Sequence, residues 1–99
     1  MTELFDRDRL ATAIGSTFRL VADSGSVEIE LTEVSDLRER TGGKAFSALF
    51  LVPTGYDVEQ GIYQLEHEQL GSADLFLVPV GLKQERLQLE AVFNFIDQE

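Results

Sequence analysis

Alternation of apolar and polar residues runs through most of this chain. Its cleanest stretch is Val27-Glu28-Ile29-Glu30-Leu31-Thr32. There Val27, Ile29 and Leu31 fall on one face of an extended strand, and Glu28, Glu30 and Thr32 on the other. The phase slips near Glu33-Val34, which predicts a bulge or a strand end. Upstream, Thr17–Ala22 reads as a strand, and Asp23-Ser24-Gly25-Ser26 as a polar turn. Only the N-terminal segment has a helical period: Leu10 and Ile14 are four apart beside Ala11 and Ala13, Asp6 suits the cap, and Gly15 supplies a left-handed stop. So narrow an apolar stripe predicts a helix that lids a larger body.

The second half repeats a phrase. Leu49-Phe50-Leu51-Val52-Pro53-Thr54-Gly55 returns as Leu75-Phe76-Leu77-Val78-Pro79-Val80-Gly81, differing only at Thr54 and Val80, and each copy leads towards a second echo, Tyr63-Gln64-Leu65-Glu66 and Leu87-Gln88-Leu89-Glu90. An apolar run closed by Pro-x-Gly and followed by an alternating run predicts a strand, a turn and a returning strand. On this reading 44–52 pairs with 61–67, and 73–80 pairs with 85–96 across Gly81-Leu82-Lys83-Gln84. Phe50 and Phe76 then point into one interior, and Leu51 and Leu77 point out. Leu87, Leu89, Ala91, Phe93 and Phe95 share a face of the last strand. The charged, Gly-rich run Arg38-Glu39-Arg40-Thr41-Gly42-Gly43-Lys44 is read as a connection. Strands draw on few residue types, so the doubling is compatible with two strands under equal constraints as well as with a duplicated hairpin.

The runs 49–52 and 75–78 are apolar on both faces, whereas an antiparallel strand wet on one side should alternate. Both therefore need cover from the helix, from sheet closure or from another subunit. The fold class expected is mainly β: a small antiparallel β-barrel, or strongly bent sheet, of about six strands in meander order with one N-terminal helix. At 99 residues the chain is expected to form a single domain, 1–99.

Composition narrows the function classes. With 18 Asp and Glu against 8 Lys and Arg, the formal net charge is −10. Nucleic acid would be repelled, and an anionic membrane surface is disfavoured for the same reason. The absence of cysteine removes disulfides, thiolate nucleophiles and Cys-ligated metals. No signal peptide is visible, and the apolar runs are too short to span a membrane as helices, so a cytoplasmic location is expected.

The strings Gln60-Gly61-x-Tyr63-x-Leu65-Glu66-His67, Leu70-Gly71, 75–81 and Glu90-Ala91-Val92-Phe93-Asn94, with Phe46, Leu49-Phe50, Gly15 and Phe18 at strand starts, carry a resemblance. The chain resembles a family of small bacterial proteins known only as a domain of unknown function. The resemblance implies an accessory or assembly role, some members being encoded beside phage-tail-collar-like proteins. It implies no active site, cofactor or named partner.

Candidate chemistry is thin. His67 is the single histidine, so a zinc site lacks ligands. A Ser-His-Asp relay would have to use His67, and none of the serines sits in a Gly-x-Ser-x-Gly elbow. Near a strand end and in phase with Tyr63 and Leu65, His67 reads as a structural, hydrogen-bonded histidine; a general base or pH-sensitive contact is the sharper alternative. Gly42-Gly43-Lys44 lacks the other residues of a phosphate loop. The pairs Glu28/Glu30 and Glu66/Glu68 each share a strand face, as the polar side of a sheet would. Arg19 interrupts an apolar strand and Glu90 lies among Leu89, Ala91 and Val92. Both are expected in solvent, or alternatively as an ion pair inside or at the rim of the barrel.

The expectation is a non-catalytic interaction or assembly module with no metal or cofactor, whose partner is a protein or a second copy. The alternative is a barrel that carries a small molecule, for which His67, Tyr63, Arg19 and Glu90 are the candidate contacts.

Overall fold

Each strand expected from alternation is present, but several neighbours differ from those the repeat suggested. The computed structural model describes residues 7–23, 25–40 and 42–96, without the side chains of residues 40, 95 and 96. The elements are α1 (Arg7–Thr12), β1 (Thr17–Ala22), β2 (Gly25–Val34), β3 (Arg38–Arg40), β4 (Gly43–Leu51), β5 (Gly61–His67), β6 (Gly71–Lys83) and β7 (Arg86–Ile96). The expected Asp6 cap, Ser24 in the first turn, Thr41 and the inward side chain of Phe95 lie outside the described residues.

Six strands close into an antiparallel barrel in the order β1-β2-β4-β7-β6-β5, with β5 returning to β1. β3 is an extra strand on β4. It continues the line of β2 after a break at 35–37, so part of the run expected as a connection is paired. The meander order is corrected: 44–52 does not pair with 61–67. β4 lies between β2 and β7, whereas β5 lies between β1 and β6. Alternation reports which face of a strand is buried and carries no information about its neighbour, and closing the cylinder requires β1 to gain a second partner. The expected pairing of 73–80 with 85–96 is present as β6–β7.

The two copies of the repeated phrase also differ in phase. Phe50 is 0% exposed, but Phe76 is 52% exposed and its neighbour Leu77 is 0% exposed. The shared interior expected for Phe50 and Phe76 is therefore corrected. β7 decides it: its inward residues Leu89 and Ala91 stand opposite Phe50 and Leu77 respectively. A one-residue slip turns every side chain to the other face. Leu51 does point outward, yet it is 6% exposed. Its cross-strand neighbours are Glu30 and Gln88, and Arg86 reaches Glu30 at 3.9 Å across β4 at this level. As an ion pair this contact is worth little, but long polar side chains cover apolar surface with their stems.

The interior is filled by side chains. Phe18 meets Phe50 edge-on at 5.4 Å and 82°, with Leu20, Ile29, Leu31, Leu65, Leu77 and Leu89 packed around them. Leu10 and Ala13 of the N-terminal segment, with Leu70, close one end. Here the expected helical stripe needs correction. α1 ends at Thr12, so Leu10 is buried while Ile14 is 48% exposed. Gly15, at φ +92°, makes the expected stop, and its N–H bonds the Leu31 carbonyl at 2.8 Å.

Local irregularities sit where the sheet must bend. The ladder between β2 and β4 shifts at Leu31/Glu33, and Thr32 Oγ1 donates to the Leu49 carbonyl at 3.2 Å. Gly81 was expected in a turn. It belongs to β6, next to a register shift, at φ +146°, a conformation that favours glycine. The β6–β7 turn itself is Gln84-Glu85, both left-handed at φ +55° and +67°. Two-residue hairpins favour this conformation, but Asn-Gly adopts it with far less strain. Gln84→Asn with Glu85→Gly is expected to raise stability by about 1 kcal/mol. A urea titration with an unchanged or lower midpoint would contradict that turn.

Candidate functional site

Three surface features hold the residues with chemical potential, and they lie on different sides of the barrel. The first is at the helix end, where β5 turns into β6. His67 is half-buried, with its ring against Phe18 at a centroid distance of 4.5 Å. Its Nδ1 accepts the backbone N–H groups of Gln69 at 3.0 Å and Leu70 at 3.2 Å. With Nδ1 occupied as an acceptor, the proton belongs on Nε2, which faces Ser16 Oγ at 3.0 Å. Ser16 in turn donates to the Ala13 carbonyl. The imidazole thus ties the β5–β6 turn to the end of the helical segment, and both ring nitrogens are engaged.

Arg19 lies on the outer face of β1 beside this histidine. It pairs with Glu66 on the neighbouring strand at 3.7 Å, and both side chains are substantially exposed. Arg19, His67, Glu66 and Glu68 border one open cleft with Thr17 and Glu28. The alternative ion pair between Arg19 and Glu90 is not formed, because β1 and β7 are not neighbours in the ring. Of the carboxylate pairs, Glu30 contacts Arg86 and Glu66 contacts Arg19. Among the described residues no three His, Cys, Asp or Glu side chains cluster closely enough to hold a metal ion.

The second feature is the opposite mouth of the barrel. Residues of the segment 53–60, which carries the chain from β4 to β5, border an open cleft of about 420 Å³ there with Ala22, Gly25 and Ser26. Leu20, Val27 and Val58 give it apolar surface, Tyr56 and Tyr63 give it two phenol rings, and Asp57 and Glu59 give it carboxylates. Tyr63 is held in place: its hydroxyl donates to the Glu59 carbonyl at 2.7 Å, and its ring lies 3.7 Å from where a Cβ on Gly61 would stand. Tyr63 was a candidate from sequence, but Tyr56, Asp57 and Glu59 were not. They sit in a loop without periodicity; Glu59 meets Tyr63 through a local contact four residues away, and Tyr56 and Asp57 line the same cleft.

The third feature is the outer face of β5, β6 and β7. Ile62, 72% exposed, stands directly opposite Phe76, 52% exposed. Val92, also 52% exposed, lies one step past the Leu77–Ala91 pair on the other side of β6, so the three side chains form a row across the sheet. Val78 and Leu49, both half-buried, flank the half-buried Glu90 on adjacent strands. Glu90 and Arg38 border one small depression of about 170 Å³ without approaching to ion-pair distance. The unbroken apolar run 75–78 was the legible signal of this face: sheet closure covers Leu77 and leaves Phe76 outside.

No helix of the described residues is long and apolar enough to cross a membrane. Comparison with the curated proteins and with solved structures returns no match. The family described as Domain of unknown function (DUF6916) has a model that matches residues 5–93, and the chain, matched over nearly all of its barrel, belongs to that family.

Proposed function

We propose that this protein is a non-catalytic interaction module that docks a protein partner on the outer face of β5, β6 and β7. The observation that carries this reading is the row Ile62, Phe76 and Val92, three large apolar side chains side by side on a closed barrel that has no need of them for its core. Scattered exposed apolar residues are ordinary, whereas a contiguous group marks a contact surface. The charge of −10 and the presence of Glu90 at the edge of the row favour a partner that combines apolar side chains with basic groups. The same charge opposes face-to-face pairing of two copies. An assembly role, of the kind implied for proteins encoded beside phage-tail-collar-like neighbours, belongs to this reading. A ligand carried inside the barrel is disfavoured because Phe18, Phe50 and their neighbours fill it, and the non-enzymatic reading is favoured by the engagement of both His67 nitrogens in holding the turn.

The double variant Ile62→Thr, Phe76→Ser tests it. The wild type and the variant, immobilised in parallel in native lysate, are expected to differ in at least one retained protein. Once that protein is purified, its affinity for the variant should fall at least about tenfold, as for loss of a central aromatic anchor. The variant should keep the wild-type denaturation midpoint. Indistinguishable retention profiles would reject the face as a docking site, and a concentration-dependent dimer in sedimentation velocity, abolished by the variant, would replace the proposed partner with a second copy.

A further inference from the structure

We infer that the cleft at the barrel mouth is a binding site for an alkylammonium group. This goes beyond the docking face, which lies on a different surface. The cleft's volume of about 420 Å³ falls within the range of small-molecule sites. Its lining combines two features that agree on one ligand class. Tyr56 and Tyr63 offer aromatic rings, whose faces attract a cation through the quadrupole. Asp57 and Glu59 supply negative charge, and none of the described lining residues is Lys or Arg. An anion would meet uncompensated carboxylates there. A small hard metal ion would need six or more oxygen ligands, and much of this wall is phenol ring and aliphatic carbon. An uncharged apolar ligand would desolvate the two carboxylates with nothing in return. A soft organic cation satisfies both parts, its methyl or methylene groups resting on Val27, Val58 and the rings, its charge facing the carboxylates.

The site is preformed on one side. Tyr63 uses its hydroxyl hydrogen on the Glu59 carbonyl, which leaves the phenol oxygen free to accept from an N–H donor. Gly61 leaves room beside the hydroxyl end of the ring, since a Cβ there would touch Cε2 and Cζ at ordinary contact distances of 3.7 and 3.9 Å. The same chemistry is presented by the side chain of a lysine on a protein and by a free quaternary ammonium compound.

The test is a titration of the full ¹⁵N-labelled chain, followed by amide shifts, with three probes: choline, N-acetyl-lysine amide and the uncharged tert-butyl isostere of choline. Saturable shifts at Tyr56, Asp57, Glu59 and Tyr63 are expected with at least one of the two cations and not with the isostere. The tighter of the two cations identifies the source, a protein side chain or a free quaternary amine. Tyr56→Leu, at a largely exposed position that the fold does not depend on, should weaken the cation by about two- to fivefold. Asp57→Asn should weaken it too and flatten its dependence on salt. The inference is overturned if neither cation gives saturable shifts, if the isostere shifts the same amides equally, or if Tyr56→Leu binds as well as the wild type. The Ile62→Thr, Phe76→Ser variant should bind the cation normally, which separates failure here from failure of the docking face.

Discussion

Phe50→Ala is expected to destabilise the protein by about 3–5 kcal/mol, the usual range for truncating a fully buried ring. Phe50 has no exposed surface, meets Phe18 edge-to-face at 5.4 Å, and stands opposite Leu31 on one side and Leu89 on the other. Truncation would open a void in a cylinder closed by hydrogen bonds all the way round, which collapses poorly onto a gap. A domain of this size has roughly 5–15 kcal/mol in total, so the variant would approach the limit of folding. Phe76→Ala supplies the contrast. Half of that ring is already in water, and the change should be within about 1 kcal/mol, as for surface substitutions. Urea denaturation of both variants checks the pair. Equal losses would mean that the repeated phrase is in phase after all.

His67→Ala is expected to lower stability by about 2–3 kcal/mol. The substitution removes the ring packed on Phe18 and leaves the Leu70 N–H, beside a buried side chain, without its acceptor. Gln69 N–H is exposed and water can replace the imidazole there. Ser16 loses one partner but keeps the Ala13 carbonyl. Asn at this position should recover part of the loss, because its side-chain oxygen can accept from a backbone N–H two residues on. Faster hydrogen exchange at Leu70 in His67→Ala, partly restored in His67→Asn, would locate the effect in the turn. A loss below about 0.5 kcal/mol would show that the imidazole does not hold it.

The sequence by itself determined six of the seven described strands and most of their burial, and missed the short β3. Strict alternation in Val27 to Leu31 put Ile29 and Leu31 in the core because a strand has a period of two and one wet face. Leu10 and Gly15 marked a short helical segment and its end for similarly local reasons. A small barrel was expected as well, but the cover inferred for the two doubly apolar runs is found only at 49–52, where Phe50 and Leu51 are both buried; the outer face of 75–78 is open at Phe76. Membership of a family of unknown function was also expected, and the family model matches residues 5–93.

Tertiary structure alone decided the neighbours. Nothing local says that β4 should pair with β7 and not β5, because backbone ladders are alike from strand to strand and side-chain patterns specify a face rather than a partner. The phases of Phe50 and Phe76 follow from that pairing, through Leu89 and Ala91 between them. The candidate sites depend on it as well. Arg19 found Glu66 rather than Glu90 because β5 returns to β1. Tyr63 borders one cleft with Leu20 and Val27 for the same reason, and Tyr56 and Asp57 line it from the segment 53–60. Ile62, Phe76 and Val92 became a surface because the interior, with Leu65, Leu77 and Ala91 already in it, had room for only one face of each strand.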